Sequence, residues 1–196
     1  MRQSERSADV RRAAARVFRC QALNYVDLMR LDRVTPAELD ATLVHGDLTP
    51  FVDALAAGKG GIIISGHVGN MDYVAQWLSL HGYNVHTVME HLQPEKLNHL
   101  AVHQRANTGM RIHPAEPAAI GILTEALRHG AVVALLADRD VTGTGYEVDL
   151  FGAPARLPVG PALLGLRTGA PLIPAFGHRL SDDRLFAQGA QGQGNG

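Results

Sequence analysis

Apolar and polar positions along this chain follow two periods in turn, that of amphipathic helices and that of short buried strands. Residues 1–33 carry Val10, Ala14, Val17, Phe18, Leu23, Val26 and Leu28 among Arg11, Arg12, Arg16, Arg19 and Arg30, and this spacing predicts one long helix. Thr35-Pro36-Ala37-Glu38 supplies an N-cap, a proline at the first helical position and a glutamate at the third, so a second helix begins there. A third covers residues 49–57 and stops at Gly58. Ile62-Ile63-Ile64 is then a β-branched run without polar alternation, the composition of a strand buried on both faces. Gly66 and Gly69 interrupt it, and Met71, Val74, Ala75 and Leu78 resume helical spacing from Asn70 until Gly82.

Beyond that point strands are predicted at 84–89, 110–113, 131–137 and 171–176, with helices at 94–107, 116–129 and 158–168. Residues 146–151 form one more strand after the loop 143–145. Such alternation of short strands and capped helices predicts an α/β fold, a central, mostly parallel (mixed) sheet flanked by helices. The sheet is expected to contain 62–65, 84–89, 110–113, 131–137 and 171–176. Residues 1–187 are expected to form a single domain, and the Gly/Gln-rich stretch 188–196 a disordered tail.

Composition narrows the possibilities without adding an element. A chain of 196 residues that is 46% hydrophobic and 19% charged has enough apolar material for one substantial core. A formal net charge of −1 gives no general reason to expect nucleic acid. The single Cys20 excludes an internal disulfide and suits a reducing compartment. No run of apolar residues is long enough for a transmembrane helix, and the Arg-rich start lacks the apolar segment of a signal peptide. The first helix has two readings: a cover for the sheet with a solvated basic face, or a helix lying on an anionic bilayer.

The chemistry is predicted to sit in the turn Gly66-His67-Val68-Gly69-Asn70-Met71-Asp72. It places an imidazole just past the end of a buried strand, where α/β sheets open a ligand crevice. An unperturbed imidazole titrates near about 6.5, so His67 is the natural general base at neutral pH. Asp72, in the first turn of the next helix, is the carboxylate expected to orient it. Ser65 lacks a nucleophile elbow, so the arrangement suits direct transfer, in which a deprotonated substrate hydroxyl attacks an activated acyl group. Gly69 lets backbone approach a ligand, and N–H groups at the helix start, from Asn70 onward, favour negative charge.

Gly66-His67-x-Gly69-Asn70-x-Asp72 resembles the H-x4-D/E signature of the lysophospholipid acyltransferase superfamily, in its lipid A and phosphatidylinositol mannoside acyltransferase branch, with Met71 in place of that branch's usual Trp. Further blocks occur in the family's order: Val88-Met89-Glu90-x-Leu92-x-Pro94-Glu95-x-Leu97, Arg105-x3-Gly109-Met110, Ala137-Asp138-Arg139-Asp140, Gly145-x-Glu147-Val148-Asp149-x-Phe151-Gly152 and Pro158-x-Gly160-Pro161-Ala162. The resemblance implies a glycerolipid acyltransferase-like fold, here short at both ends. It also implies a peripheral enzyme at the cytoplasmic face of the bacterial plasma membrane. There it moves a long-chain acyl group from acyl-CoA, as co-substrate and with no resident cofactor or metal, to a membrane glycolipid. The acceptor implied is a mannose of phosphatidylinositol mannoside, with a lipid A-type (Kdo-lipid) acceptor as the alternative. It further implies Glu147 as a second carboxylate orienting His67, the other reading of Glu147 being a strand residue facing water.

Several side chains near the turn complete the set of expectations. Arg105 is expected either to bind a phosphate or sugar through its planar fork or to pair with Glu90, and both are counted among the substrate-binding candidates with Gly69, Asn70 and Arg139. Arg139, between two aspartates at a strand end, is read as holding the loop beside the site. His99-x3-His103 has the spacing of a zinc pair but lacks the glutamate of H-E-x-x-H, which leaves a solvated helix face. His81, His86, His91, His113 and His129 read as surface residues. A hydrolase activating water through His67, a metal-dependent hydrolase and a non-catalytic lipid-binding module are the rival classes.

Overall fold

The computed structural model describes residues 3–47, 49–141, 143–182 and 184–189. Helix α1 (Gln3–Arg30) runs into a 3-10 turn (Leu31–Arg33), followed by α2 (Pro36–Thr42), β1 (Leu43–His45) and α3 (Thr49–Ala56). Next come β2 (Gly61–Ser65), α4 (Met71–Leu80), β3 (Val85–Met89), α5 (Glu95–Ala106), β4 (Arg111–Pro114), α6 (Ala119–Arg128) and β5 (Val132–Leu136). The hairpin β6 (Tyr146–Leu150) and β7 (Ala153–Leu157) precedes α7 (Gly160–Thr168), β8 (Leu172–Arg179) and β9 (Leu185–Gly189). The α2 start is a complete capping box: Thr35 Oγ1 accepts from the Glu38 N–H at 3.2 Å, and Glu38 accepts from the Thr35 N–H at 2.8 Å.

Seven strands form one sheet in the order β1-β9-β8-β2-β5-β3-β4. From β8 to β4 all pairs are parallel, whereas β9 runs antiparallel to β8 with β1 parallel beside it. The mostly parallel mixed sheet therefore stands, including all five strands expected in it. Sequence periodicity missed β1, β7 and β9, each too short or too interrupted by small residues to show alternation. Strand β9 also corrects the tail: Gln188 and Gly189 belong to the sheet, paired with Phe176 and Ala175. The rest of the expected tail, 190–196, lies outside the described residues.

The isoleucine run is buried on both faces as its composition requires. Ile63, with Val85, Val132 and Ile173, packs under α2–α5 against Leu39, Phe51, Tyr73, Leu78 and Ala101. Ile62, with Val133 and Leu135, packs on the opposite face against Leu123 and Leu127 of α6 and Leu164 of α7. Truncating one such fully buried leucine to alanine costs about 2–5 kcal/mol, since transfer and cavity terms add. Helix α1 does not cover the sheet along its length. Residues 9–22 are exposed throughout, Phe18 at 77%, and only the stretch around Leu28 joins the core. The reading of α1 as a cover holds for its last turns alone.

Among the described residues no helix is long and apolar enough to cross a membrane.

Candidate active site

Strand order decides where the site lies. From β2 the chain crosses by α4 to β3, and β5 returns between the two. From β5 it leaves through the hairpin and α7 to β8, on the other side of β2. Helices α4 and α7 pack on opposite faces, so the connections after β2 and β5 diverge and leave a crevice between the two strand ends. His67 and Asp138 stand at its two rims. The parallel register joins Ser65 to Leu136, and the Ala137 N–H donates to the Ser65 carbonyl at 2.8 Å. Two residues further on, each chain presents its functional side chain.

Asp138 grips His67 twice. Its Oδ1 lies 2.7 Å from the ring Nδ1, and its Oδ2 accepts from the backbone N–H of His67 at 2.9 Å. Burial raises the Asp138 carboxyl pKa, but the bonds from the His67 backbone and ring and the imidazole's charge outweigh it and hold the group below its usual range. The carboxylate therefore stays ionised, fixes the proton on Nδ1 and leaves Nε2 as the ring's acceptor. The imidazole is half exposed, open to a ligand from the crevice.

Asp72 is not the partner of His67. Both of its oxygens are taken by Arg105 of α5, with Nε to Oδ1 at 2.6 Å and Nη2 to Oδ2 at 2.9 Å. This parallel fork ties the first turn of α4 to α5, and both side chains are largely buried. It also corrects both expectations for Arg105: its fork is occupied, and its partner is not Glu90. Glu90 instead faces Arg139 at 3.4 Å, an exposed pair linking the ends of β3 and β5. The physical reason lies in the helix. A residue in the first turn of α4 points across to α5, away from the strand end that carries His67.

Glu147 lies on exposed β6 directly opposite Arg156 in the hairpin, outside the main sheet, and among the described residues no hydrogen bond or ion pair joins it to His67. The carboxylate that bonds to His67 is Asp138, in place of Asp72 and Glu147. Its signal was present in the sequence: an aspartate at the carboxyl end of the clearest strand, one that had only to be recognised as the neighbour of 62–65.

Gly69 and Asn70 have local tasks. Gly69 adopts φ +72°, and a Cβ on it would fall 2.4 Å from the Gly177 carbonyl of β8. Asn70 is buried and caps α4, its Oδ1 accepting from the Tyr73 N–H at 3.3 Å. The histidines divide. His91 and His99 both reach Glu95, and His103 contacts Asn107. His86 is not a surface residue: on interior strand β3 it is 5% exposed and stacks on His113, with Nδ1 3.0 Å from Nε2.

Residues 4–187 match the family of bacterial lipid A biosynthesis acyltransferases. Among curated proteins, the chain is 41% identical over 162 residues to a phosphatidylinositol mannoside acyltransferase of Mycobacterium tuberculosis, covering 81% of this chain and 48% of the relative. It is 34% identical over 151 residues to a phosphatidylinositol mannoside acyltransferase of Mycolicibacterium smegmatis, covering 76% and 50%. The chain thus spans about half the length of these relatives. With a match of that extent and the ordered elements described above, this chain belongs to the bacterial lipid A biosynthesis acyltransferase family.

Proposed function

We propose that this chain carries the acyl-transfer centre of a phosphatidylinositol mannoside acyltransferase, with His67 as general base and Asp138 as its orienting carboxylate. The observation that carries this reading is the double grip of Asp138 on the ring and backbone of His67. An imidazole so held takes the proton of a mannose hydroxyl at Nε2, and the resulting imidazolium is stabilised by the adjacent carboxylate. The alkoxide oxygen attacks the thioester carbonyl of a long-chain acyl-CoA. The C–S bond breaks, and the thiolate leaves with a proton returned from His67. Asp72 and Arg105 serve this step indirectly, by fixing the α4 start against α5. The names of the relatives support the acceptor class, and the exposed residues 9–22 of α1 support membrane attachment. There Val10, Val17 and Phe18 share a helical face, with Arg11, Arg12, Arg16 and Arg19 around it, as suits the anionic inner face of a plasma membrane.

The test is mass spectrometry of lipids after incubation with acyl-CoA and phosphatidylinositol mannoside, for the chain and for His67→Ala. Acylated mannoside is expected from the first, and a loss of at least about 10²-fold from the second, since general-base catalysis contributes about 10²–10⁴-fold. Thioester consumption without lipid acylation would make the protein a hydrolase. Acylation unchanged in His67→Ala would sink the reading.

A further inference from the structure

The turn that carries His67 is held from below by the first helix. Asn24 of α1 donates from Nδ2 to the Gly69 carbonyl at 2.7 Å. Nearly one helical turn later, Asp27 Oδ2 accepts from Asn70 Nδ2 at 2.8 Å, and the same oxygen accepts from Arg179 Nη2 of β8. Both charged side chains of that ion pair are largely withdrawn from water, 14% and 9% exposed. Asn70 passes the constraint on, because its other amide atom caps α4. One carboxylate oxygen on α1 therefore joins three things: the first helix, the peptide following His67-Val68-Gly69, and the strand whose Gly177 carbonyl abuts Gly69.

We propose that Asp27 is a positioning residue of the transfer site: it fixes Asn70, and through Asn70 the path of residues 66–70, so that the His67 ring stays on Asp138. This rests on the reading of His67 as the base. Anchoring of α1 does not require such a network, since Leu28 and Leu31 already bury in the core at its end. Asn24 and Asp27 both bond to one short turn, Asp27 while also pairing with Arg179, and buried, hydrogen-bonded networks of this kind specify a geometry. Gly69 needs that help, because its left-handed backbone lies between a strand and a helix and belongs to the ladder of neither. The same continuous helix exposes residues 9–22, so whatever those residues lie on is one rigid element away from the turn.

The test combines kinetics with a spectroscopic signature, using the full chain, acyl-CoA and phosphatidylinositol mannoside. Asp27→Ala and Asn70→Ala are each expected to lower kcat tenfold or more, with KM for acyl-CoA within twofold of wild type. The double variant is expected to lose less than the two single losses together, because both break the Asn70–Asp27 bond. The His67 Nδ1 proton, assigned by its disappearance from the NMR spectrum of His67→Ala, is expected to shift or broaden in Asp27→Ala. Losses that add in the double variant, an unchanged kcat or an unmoved resonance would each overturn the proposal. Should Asp27→Ala fail to fold, Asn24→Ala removes only the Gly69 bond and is expected to move the same resonance, with a fall of about threefold in kcat; an unmoved resonance there counts equally against it. A wild-type chain with no acyl transfer would refute the functional reading, and the resonance would still decide the positioning role.

Discussion

The turn after β2 and the β6–β7 hairpin make an instructive pair. Each is short, rich in glycine and furnished with carboxylates, and each matches a block of the family's sequence. Yet the turn is bonded on every side, to β5 through Asp138, to α1 through Asn24 and Asp27, and to β8 by the close contact at Gly69. Among the described residues the hairpin strands pair only with each other. Tyr146, Val148 and Leu150 share one of its faces with Ala153, Ala155 and Leu157, and Glu147, Asp149 and Arg156 share the other. Its tip, Phe151, is fully exposed at φ 55°. Both regions carry acid groups, but only strands in parallel register bring an acid and an imidazole to bonding distance without a search. Placement within the sheet, more than proximity to a motif, makes a carboxylate part of a site.

The sharpest way to break this contrast is to neutralise one carboxylate in each region. Asp138→Asn should lower acyl transfer by about 10²-fold or more, since the amide removes the ionised partner that fixes the tautomer of His67. Glu147→Gln should stay within about twofold of wild type, and assays of both side by side decide which acid serves the base. If Glu147→Gln is the more damaged, the hairpin closes on the site during turnover and the contrast fails.

A second effect is smaller and concerns the frame behind the turn. Burial, with the neighbouring His113 and Arg111 charges, lowers the His86 pKa to about 4 from an ordinary 6.5. The unfolded chain therefore binds more protons at this group between those values, and folding stability should fall as pH drops from about 6.5 toward 4. Denaturation midpoints measured across that window should flatten in His86→Phe. An unaltered slope would assign the acid sensitivity to other groups.

The smallest effect belongs to the hairpin. Phe151 occupies a left-handed backbone position that costs a non-glycine residue roughly 1–2 kcal/mol, and asparagine tolerates it better. Phe151→Asn should raise stability by up to about 1 kcal/mol, read as a higher thermal midpoint, with transfer activity retained. A lower midpoint would mean that the aromatic ring is held by contacts beyond its own strand pair.

Much of the frame was legible before any coordinates. The isoleucine run, the Thr35 capping box and the glycine stops after helices each have one local physical solution, and they sit where expected. Less legible were elements whose character comes from a partner. Strand β9 reads as a tail because Gln188 and Gly189 have no pattern of their own and gain order only opposite Ala175 and Phe176. His86 reads as surface because a polar side chain on β3 is buried only once His113 of β4 stacks on it. For the candidate site, the placement of His67 just past a buried strand was legible, and the partner of Asp72 was not. Five residues of separation in sequence do not say whether a helix's first turn looks back at the strand or across to α5, and Arg105 decides that.

The return of β5 between β2 and β3 also sets the order in which the molecule can be completed. His67 emerges in synthesis 71 residues before Asp138, and β2 acquires its other neighbour only when β8 follows later still. Until β5 emerges the isoleucine strand has two open edges, and until β8 follows it keeps one, the sort of segment that pairs with other chains. Long-range parallel pairing is slow, because loop closure must precede any gain from contact. Nascent or terminated chains ending before β8 will thus be the aggregation-prone species.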